Sequence, residues 1–502
     1  MYIETSDVAT SPDISRDSGR SRRWLTLAVI GLAQLLLVLD ATIVSIALPT
    51  AQADLHITDT DRQWLLTAYT LTFGGFLLLG GRIADFTGRR RALIVGLIGF
   101  AAASALGGLA TNAITLFAAR ALQGAFGALM APAALALLSV TFTEAKERAR
   151  AFGIWGAILG GGSALGLLLG GILTQYASWR WTLLIGTPIA IVAAIAAGRL
   201  IPESRAEGNT RYDLPGALTS TAGLVALVYG FTRAGEDGWL SPVTIGWLAG
   251  AVLLLVAFVA VESRSAHPLL PMRVILDRNR AGAYVAALLI GAGTLGVFLF
   301  LALYMQLTLG YSALMTGVAF LPFTVFIAAG ATFATQMQSR VGPRFLISGG
   351  LLVTAVGIAL LTLLRVASGF WTHVLPAQLV ISFGMGVTFA LMSNMALVGV
   401  GNHDAGVASA LVNTSQQIGA SLGTALLSTI FTAAVTRYLT DHGGEATDAD
   451  QMRELQGVAT VHGYGVTFWV GAAVTALAAG IVLLLVRAGR EDISASEAPP
   501  AL

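Results

Sequence analysis

Apolar residues in this chain neither alternate nor form narrow stripes; they run on for 18 to 29 residues at a time between short polar links. A helix of about 20 mostly apolar residues can cross the hydrocarbon of a bilayer, where no water is available to satisfy exposed backbone groups. Fourteen such stretches are expected. The first seven are Leu25 to Thr50, Trp64 to Gly81, Ala92 to Ala110, Ile114 to Val140, Ala151 to Tyr176, Trp181 to Ile201 and Leu214 to Thr232. The second seven are Pro242 to Val261, Ala281 to Leu309, Leu314 to Met337, Phe345 to Leu364, Val374 to Val400, Val407 to Val435 and Gly463 to Val486. An even number puts both termini on one side. With that side cytoplasmic, 22 of the 29 Lys and Arg fall in cytoplasmic segments, which is the bias that orients membrane proteins.

Composition agrees with this pattern, since 56% of residues are hydrophobic and 11% charged, against about a quarter charged in soluble domains. The net charge of +2 is spread over many short loops, so no basic patch for nucleic acid is expected. The absence of cysteine excludes disulfides, thiolate metal sites and cysteine nucleophiles. Arg20, Arg22 and Arg23 precede the first apolar run, as in a signal peptide, but that run is longer than a signal core and contains Asp40. It is expected to remain in the mature chain. The polar tails read as disordered, and the acidic, glycine-containing stretch 436–462 reads as an outer loop.

The turn after the second stretch, Gly80-Gly81-Arg82-Ile83-Ala84-Asp85-Phe86-Thr87-Gly88-Arg89-Arg90-Arg91, has a weaker echo about 255 residues on, at Ser339-Arg340-Val341-Gly342-Pro343-Arg344. Gly162 and Gly166 are echoed at nearly the same offset by Gly419 and Gly423. Two six-helix halves are therefore expected, with two helices inserted between them, and rocking of such halves about a midplane site is a common mode of secondary transport. The expected organisation is a tail (1–23), a six-helix bundle (24–201), two additional helices (202–262), a second six-helix bundle (263–487, with the loop 436–462) and a tail (488–502).

At these residues the sequence resembles the major facilitator superfamily, and within it the fourteen-helix drug:proton antiporters. The resemblance rests on Leu39-Asp40-Ala41-Thr42-Ile43-Val44 through Ala47-Leu48-Pro49, on Trp64 through Tyr69 with the turn that follows, on Arg120 through Gln123-Gly124, and on the glycines of the fifth stretch. It departs at Leu167, where the family usually has proline, and at Phe86, where it usually has a basic residue. The implied fold is all-α and integral to the membrane: the major facilitator fold with 14 transmembrane helices. The implied location is the bacterial cytoplasmic (inner) membrane, and the arginine-over-lysine, alanine- and glycine-rich composition resembles that of GC-rich bacteria.

Of the 27 acidic residues only Asp40 lies deep inside an apolar stretch, and of the 29 basic residues only Arg120 does. A charge at the bilayer centre costs roughly 2.5–3.5 kcal/mol on insertion scales, so each is expected to face a partner or a cavity. Their helices run in opposite directions, which brings both to a similar depth. The resemblance implies that both serve proton coupling; a static pair locking the first helix to the fourth is the alternative. Burial and a neighbouring cation act on a carboxyl in opposite senses, which suits a group that exchanges a proton as water access changes sides.

Gln34, Gln123, Gln306, Asn394, Asn413 and Gln417 are amides at membrane depth that can bind a ligand or hold helices together, and Tyr69, Phe300 and Tyr304 are candidate cavity walls. Gly81, Asp85, Gly88, Arg89 and Arg90 form the turn that the resemblance makes a latch between halves. Gly162, Gly166 and Gly170 offer a side-chain-free face for close helix packing and for sliding. No catalytic constellation, metal-ligand spacing or phosphate-binding loop is visible, so neither an enzyme nor an ATP-driven pump is expected. The expected function is export of a hydrophobic or amphipathic drug or antibiotic in exchange for protons. The expected protein is a monomer that needs no cofactor beyond the proton gradient, and its partners are a small-molecule substrate, protons and the lipid bilayer. The alternatives are an importer or facilitator of a metabolite on the same fold and, from another class, a membrane enzyme or channel.

Overall fold

A computed structural model describes residues 14–58, 61–142, 144–205, 213–265, 276–338, 340–397, 405–443 and 448–487. Among the described residues all regular structure is helical. The helices are α1 (Ile14–Asp54), α2 (Trp64–Thr87), α3 (Arg89–Gly108), α4 (Ala113–Thr141), α5 (Ala145–Tyr176), α6 (Trp181–Leu184), α7 (Gly186–Leu200) and α8 (Leu214–Asp237). After them come α9 (Pro242–Arg264), α10 (Arg278–Leu303), α11 (Ala313–Ala319), α12 (Leu321–Met337), α13 (Pro343–Leu361), α14 (Leu375–Leu397), α15 (Ala405–His442) and α16 (Ala449–Leu485). Single π turns follow α10 (Tyr304–Thr308) and precede α14 (Phe370–Val374).

Helix therefore lies over each of the fourteen expected stretches. Two of these are broken by residues that interrupt a helical ladder: α6 gives way to α7 at Gly186, two residues before Pro188, and α11 to α12 beside Pro322. Among the described residues eleven segments are long and apolar enough to cross a membrane, and the pair Trp64–Leu77 and Leu79–Thr87, bent by 52°, makes a twelfth. Eleven or twelve segments among the described residues thus pass by length and composition, fewer than the fourteen expected, while helix covers all fourteen stretches. Over its described residues α5 is not one of these segments, and the apolar helix within α8 is short, Pro215–Phe231.

Two expectations about polar segments are corrected. Part of the N-terminal tail is helical, since α1 begins at Ile14; residues 1–13 and 488–502 lie outside the described residues. The expected outer loop 436–462 is mostly helix, because α15 runs to His442 and α16 starts at Ala449. Local interactions support these extensions: Asp448 caps α16 by accepting from the N–H groups of Asp450 and Gln451, and the pairs Arg437–Asp441 and Arg453–Asp450 sit on exposed helix faces.

Glycine sets the closest packing, and it does so twice in the same way. On α5, Gly162 meets Leu35 and Val38 of α1, Gly166 meets Thr42, and a Cβ on Gly170 would lie 2.9 Å from the Ile43 carbonyl. On α15, the glycines that echo them, Gly419 and Gly423, meet the backbone of α10 at Leu288 and Ala292. The internal repeat is therefore visible in packing.

Arg89, Arg90 and Arg91 mark one end of the molecule, its basic end. Helices α1–α7 meet α10–α16 mainly toward the opposite end. There Gly171 of α5 faces Leu314 of α11, whose Cα a Cβ on Gly171 would approach to 2.6 Å, and Gly317 faces the Leu167 carbonyl. Gln306 donates to the Ile46 carbonyl at 3.2 Å, and the Arg62 guanidinium lies 5.4 Å from the centre of the Phe431 ring. Nearer the middle, Gly74 of α2 faces Gln417 of α15. Helix α8 lies across this second contact and touches both sides of it: Thr221 donates to the Gly75 carbonyl, and Thr429 of α15 donates to the Phe231 carbonyl. Beyond α8, α9 turns Val252, Leu253 and Val256 outward, as a helix facing lipid does.

Candidate functional site

The two charges singled out in the apolar stretches meet. Arg120 Nη1 lies 2.6 Å from Asp40 Oδ2, and both side chains are almost fully buried. Gln123, one turn along α4 from Arg120, closes the cluster: its Nε2 donates to Asp40 Oδ1 at 2.9 Å, and its Oε1 accepts from Arg120 Nη1 at 2.9 Å. This spacing puts both side chains on the face of α4 turned toward α1. Gln123 Nε2 also donates to Ser104 Oγ of α3 at 2.8 Å.

Helix α2 supplies the remaining contacts. Arg120 Nε donates to the Leu65 carbonyl at 2.9 Å, and the guanidinium lies 4.5 Å from the centre of the Tyr69 ring, which stacks in turn on Phe73. Arg120 Nη2 is buried with no hydrogen-bond partner among the described residues. Four helices of the first half thus converge on one buried ion-pair cluster. The carboxylate accepts two hydrogen bonds, one of them charge-assisted, which is the satisfaction a charge needs away from water.

Several amides and aromatics occupy places other than the expected cavity wall. Gln123 belongs to the ion-pair cluster, and Tyr69 is buried against Arg120. Phe300 and Tyr304 are fully buried in the second half. Phe300 stacks on Phe431 at 5.1 Å and packs with Tyr464, while the Tyr304 hydroxyl donates to the Arg365 carbonyl at 2.9 Å. Aromatic rings bury large areas and prefer such offset and edge arrangements, so these residues build a core rather than line an opening. Gln306 bridges to Ile46 across the two halves. Gln34 and Gln417 are half-buried, Asn413 is exposed, and the Asn394 side chain lies outside the described residues.

The turn between α2 and α3 is tied within its own half. Asp85 accepts from Arg89 Nε and Nη2 at 3.0 and 2.9 Å. Glu203, just beyond α7, accepts from the Arg90 backbone N–H at 3.1 Å and pairs with the Arg90 and Arg91 guanidinium groups at 3.7 Å. The Arg89 N–H donates to the Ser204 carbonyl at 2.9 Å. Gly88 makes this possible: its φ is 115°, and a Cβ there would fall 2.6 Å from the Glu203 carboxylate. Gly81 faces Pro132 of α4 at ordinary contact distance.

Sequence reasoning missed four participants: Ser104, the Leu65 carbonyl, Glu203 and Arg62. Ser104 and Glu203 are ordinary residue types at unremarked positions, and no side chain announces a carbonyl. Arg62 stands in a polar link, yet it is 4% exposed.

Comparison with known proteins extends this picture. A family model described as Major Facilitator Superfamily matches residues 30–424. The chain is 47% identical to the puromycin resistance protein pur8 of Streptomyces alboniger, over 98% of this chain and 99% of that protein. It is 39% identical to the cephamycin export protein CmcT of Amycolatopsis lactamdurans, over 86% and 90%. It is 33% identical to the multidrug efflux pump LfrA of Mycolicibacterium smegmatis, over 82% of each. Among solved structures, it resembles a bacterial homologue of the human lysosomal transporter Spinster in an inward-facing, unoccupied conformation. That match has a TM-score of 0.67 and 17% identity and covers 98% of this chain and all of that one, which is a likeness of fold.

Proposed function

This chain belongs to the Major Facilitator Superfamily, and on that footing we propose that it exports a hydrophobic or amphipathic antibiotic or drug across the bacterial cytoplasmic membrane in exchange for protons, by alternating access. The observation that carries the reading is the sealed Asp40–Arg120 pair, found in a chain whose relatives over most of its length are named for antibiotic resistance and export. Stability alone is a weak reason for such a pair, because desolvation costs several kcal/mol per ion and apolar replacements are often as stable.

The contacts suggest how a proton could be felt at a distance. Protonating Asp40 removes the counter-charge of Arg120 Nη1 and lets Gln123 turn. Arg120 remains held by the Leu65 carbonyl and the Tyr69 ring, both on α2, so its adjustment bears on the helix that meets α15. A proton arriving at one carboxyl thereby acts on a contact between the halves. With the basic end and both termini in the cytoplasm, the approaches at Gly171 and Arg62 lie on the outer side, and this conformation is closed to the outside. The turn at Gly88 and the glycine faces of α5 and α15 would serve the switch. Both halves lie in one chain, so a monomer suffices.

The reading is tested in everted vesicles energised to hold a pH gradient. Addition of puromycin or another transported compound should discharge the gradient only where this chain is present, and cells expressing it should tolerate the same compound. A broad panel that neither discharges the gradient nor changes growth inhibition would overturn the proposal.

A further inference from the structure

A cleft of about 380 Å³ opens at the basic end, separate from the ion pair and from the contact between halves. Its apolar wall is Leu137, Val140 and Ile201, and its polar groups include Arg23, Thr26 and Ser204. The Arg23 side chain is 44% exposed and reaches Glu147 only at 3.5 Å, so its charge is weakly committed. The neighbouring Trp24 packs at a tilt against Phe142 and carries the Arg150 guanidinium over its face at 5.1 Å. Ser204 Oγ is buried with no hydrogen-bond partner among the described residues, an arrangement that is uncommon in a finished protein wall. The segment bearing it is fixed in place, since Arg89 N–H donates to the Ser204 carbonyl and Arg90 Nη1 to the Ile201 carbonyl.

An exposed cation, a buried and unpartnered hydroxyl in the lining, an apolar wall beside them, and a position where membrane spans end together describe a receptor for an amphipathic anion. We propose that this cleft binds an anionic phospholipid of the adjoining leaflet. The phosphate sits between Arg23 and Ser204 Oγ, and the start of one acyl chain lies along Leu137, Val140 and Ile201. Basic residues next to spans attract anionic lipid, and a zwitterionic headgroup lacks that net attraction. The inference rests on the membrane setting and not on the direction or substrate of transport.

The test uses the full chain in nanodiscs of equal parts phosphatidylglycerol and phosphatidylcholine, extracted gently and weighed by native mass spectrometry. The wild type should retain phosphatidylglycerol about fivefold over phosphatidylcholine, the preference expected from one basic residue at a membrane surface. The double variant Arg23→Gln with Ser204→Ala should bring that ratio to parity, and Arg23→Lys should keep most of it. Val140→Trp, which fills the wall and leaves the charge alone, should also lower phosphatidylglycerol retention. Equal retention of the two lipids by the wild type, or an unchanged preference in either the charge variant or Val140→Trp, would overturn the assignment.

Discussion

Asp40→Asn separates two purposes of the buried pair, holding α1 to α4 and exchanging a proton. Asparagine keeps the shape, and its Oδ1 can still accept from Gln123 Nε2, now 2.9 Å from Asp40 Oδ1. Arg120 Nη1, however, loses the carboxylate at 2.6 Å, and a guanidinium 1% exposed is left without a counter-charge. Removing one member of a buried pair costs about 3–5 kcal/mol, so the single variant should melt at a clearly lower temperature in detergent. Adding Arg120→Gln removes the stranded charge, and the double variant should return to within about 1–2 kcal/mol of wild type. If the pair serves exchange, the recovered stability brings no recovered transport. Heating followed by size-exclusion chromatography reads the first quantity, and gradient discharge in everted vesicles reads the second. A double variant that discharges the gradient like wild type would reduce the pair to a clamp. An Asp40→Asn protein as stable as wild type would refute the packing argument itself.

Two further outcomes follow from the glycine contacts. Gly423→Ala should destabilise by about 1–3 kcal/mol because its new methyl meets the Ala292 backbone, whereas Gly161→Ala, with nothing within 4 Å, should gain up to about 1 kcal/mol from helix propensity. Thermal unfolding of the two proteins decides this, and equal losses would show that local space does not control the outcome. Gly171→Leu places its Cβ 2.6 Å from the Leu314 Cα, so the seam between α5 and α11 must part to admit it. Gradient discharge in everted vesicles should fall well below wild type while the protein still elutes as a folded species; full transport by this variant would mean that the seam need not close.

How much of this was legible beforehand depended on how strongly each residue type is penalised in oil. Asp40 and Arg120 stood out because a lone charge in an apolar run demands an explanation, and the structure brings them together. Gln123 was visible as an amide, but its destination was not, since an amide costs little enough at depth to serve either a cavity or a neighbour. Phe300 and Tyr304 illustrate the same limit, for an aromatic ring reads alike whether it lines a pocket or fills a core. Arg62 was hidden by its setting: a polar link suggests solvent, whereas tertiary packing, Phe431 included, buries it. The extension of α15 and α16 through 436–462 escaped notice because hydropathy marks where a helix leaves the apolar layer and not where it stops. The repeat was faint in letters, at two turns and two pairs of glycines, and plain in how α5 lies on α1 and α15 on α10.

Helix α8 breaks that repeat in the plane of the membrane. It bonds to Gly75 on one side of the α2–α15 seam and receives a bond from Thr429 on the other, with Leu224 and Val228 packed between Leu71 and Ala425. Among the described residues no helix lies over the α5–α11 seam in this way. One flank of the transporter is therefore upholstered, among the described residues, with an extra helix and the other is not, so the two seams turn unlike faces to the bilayer.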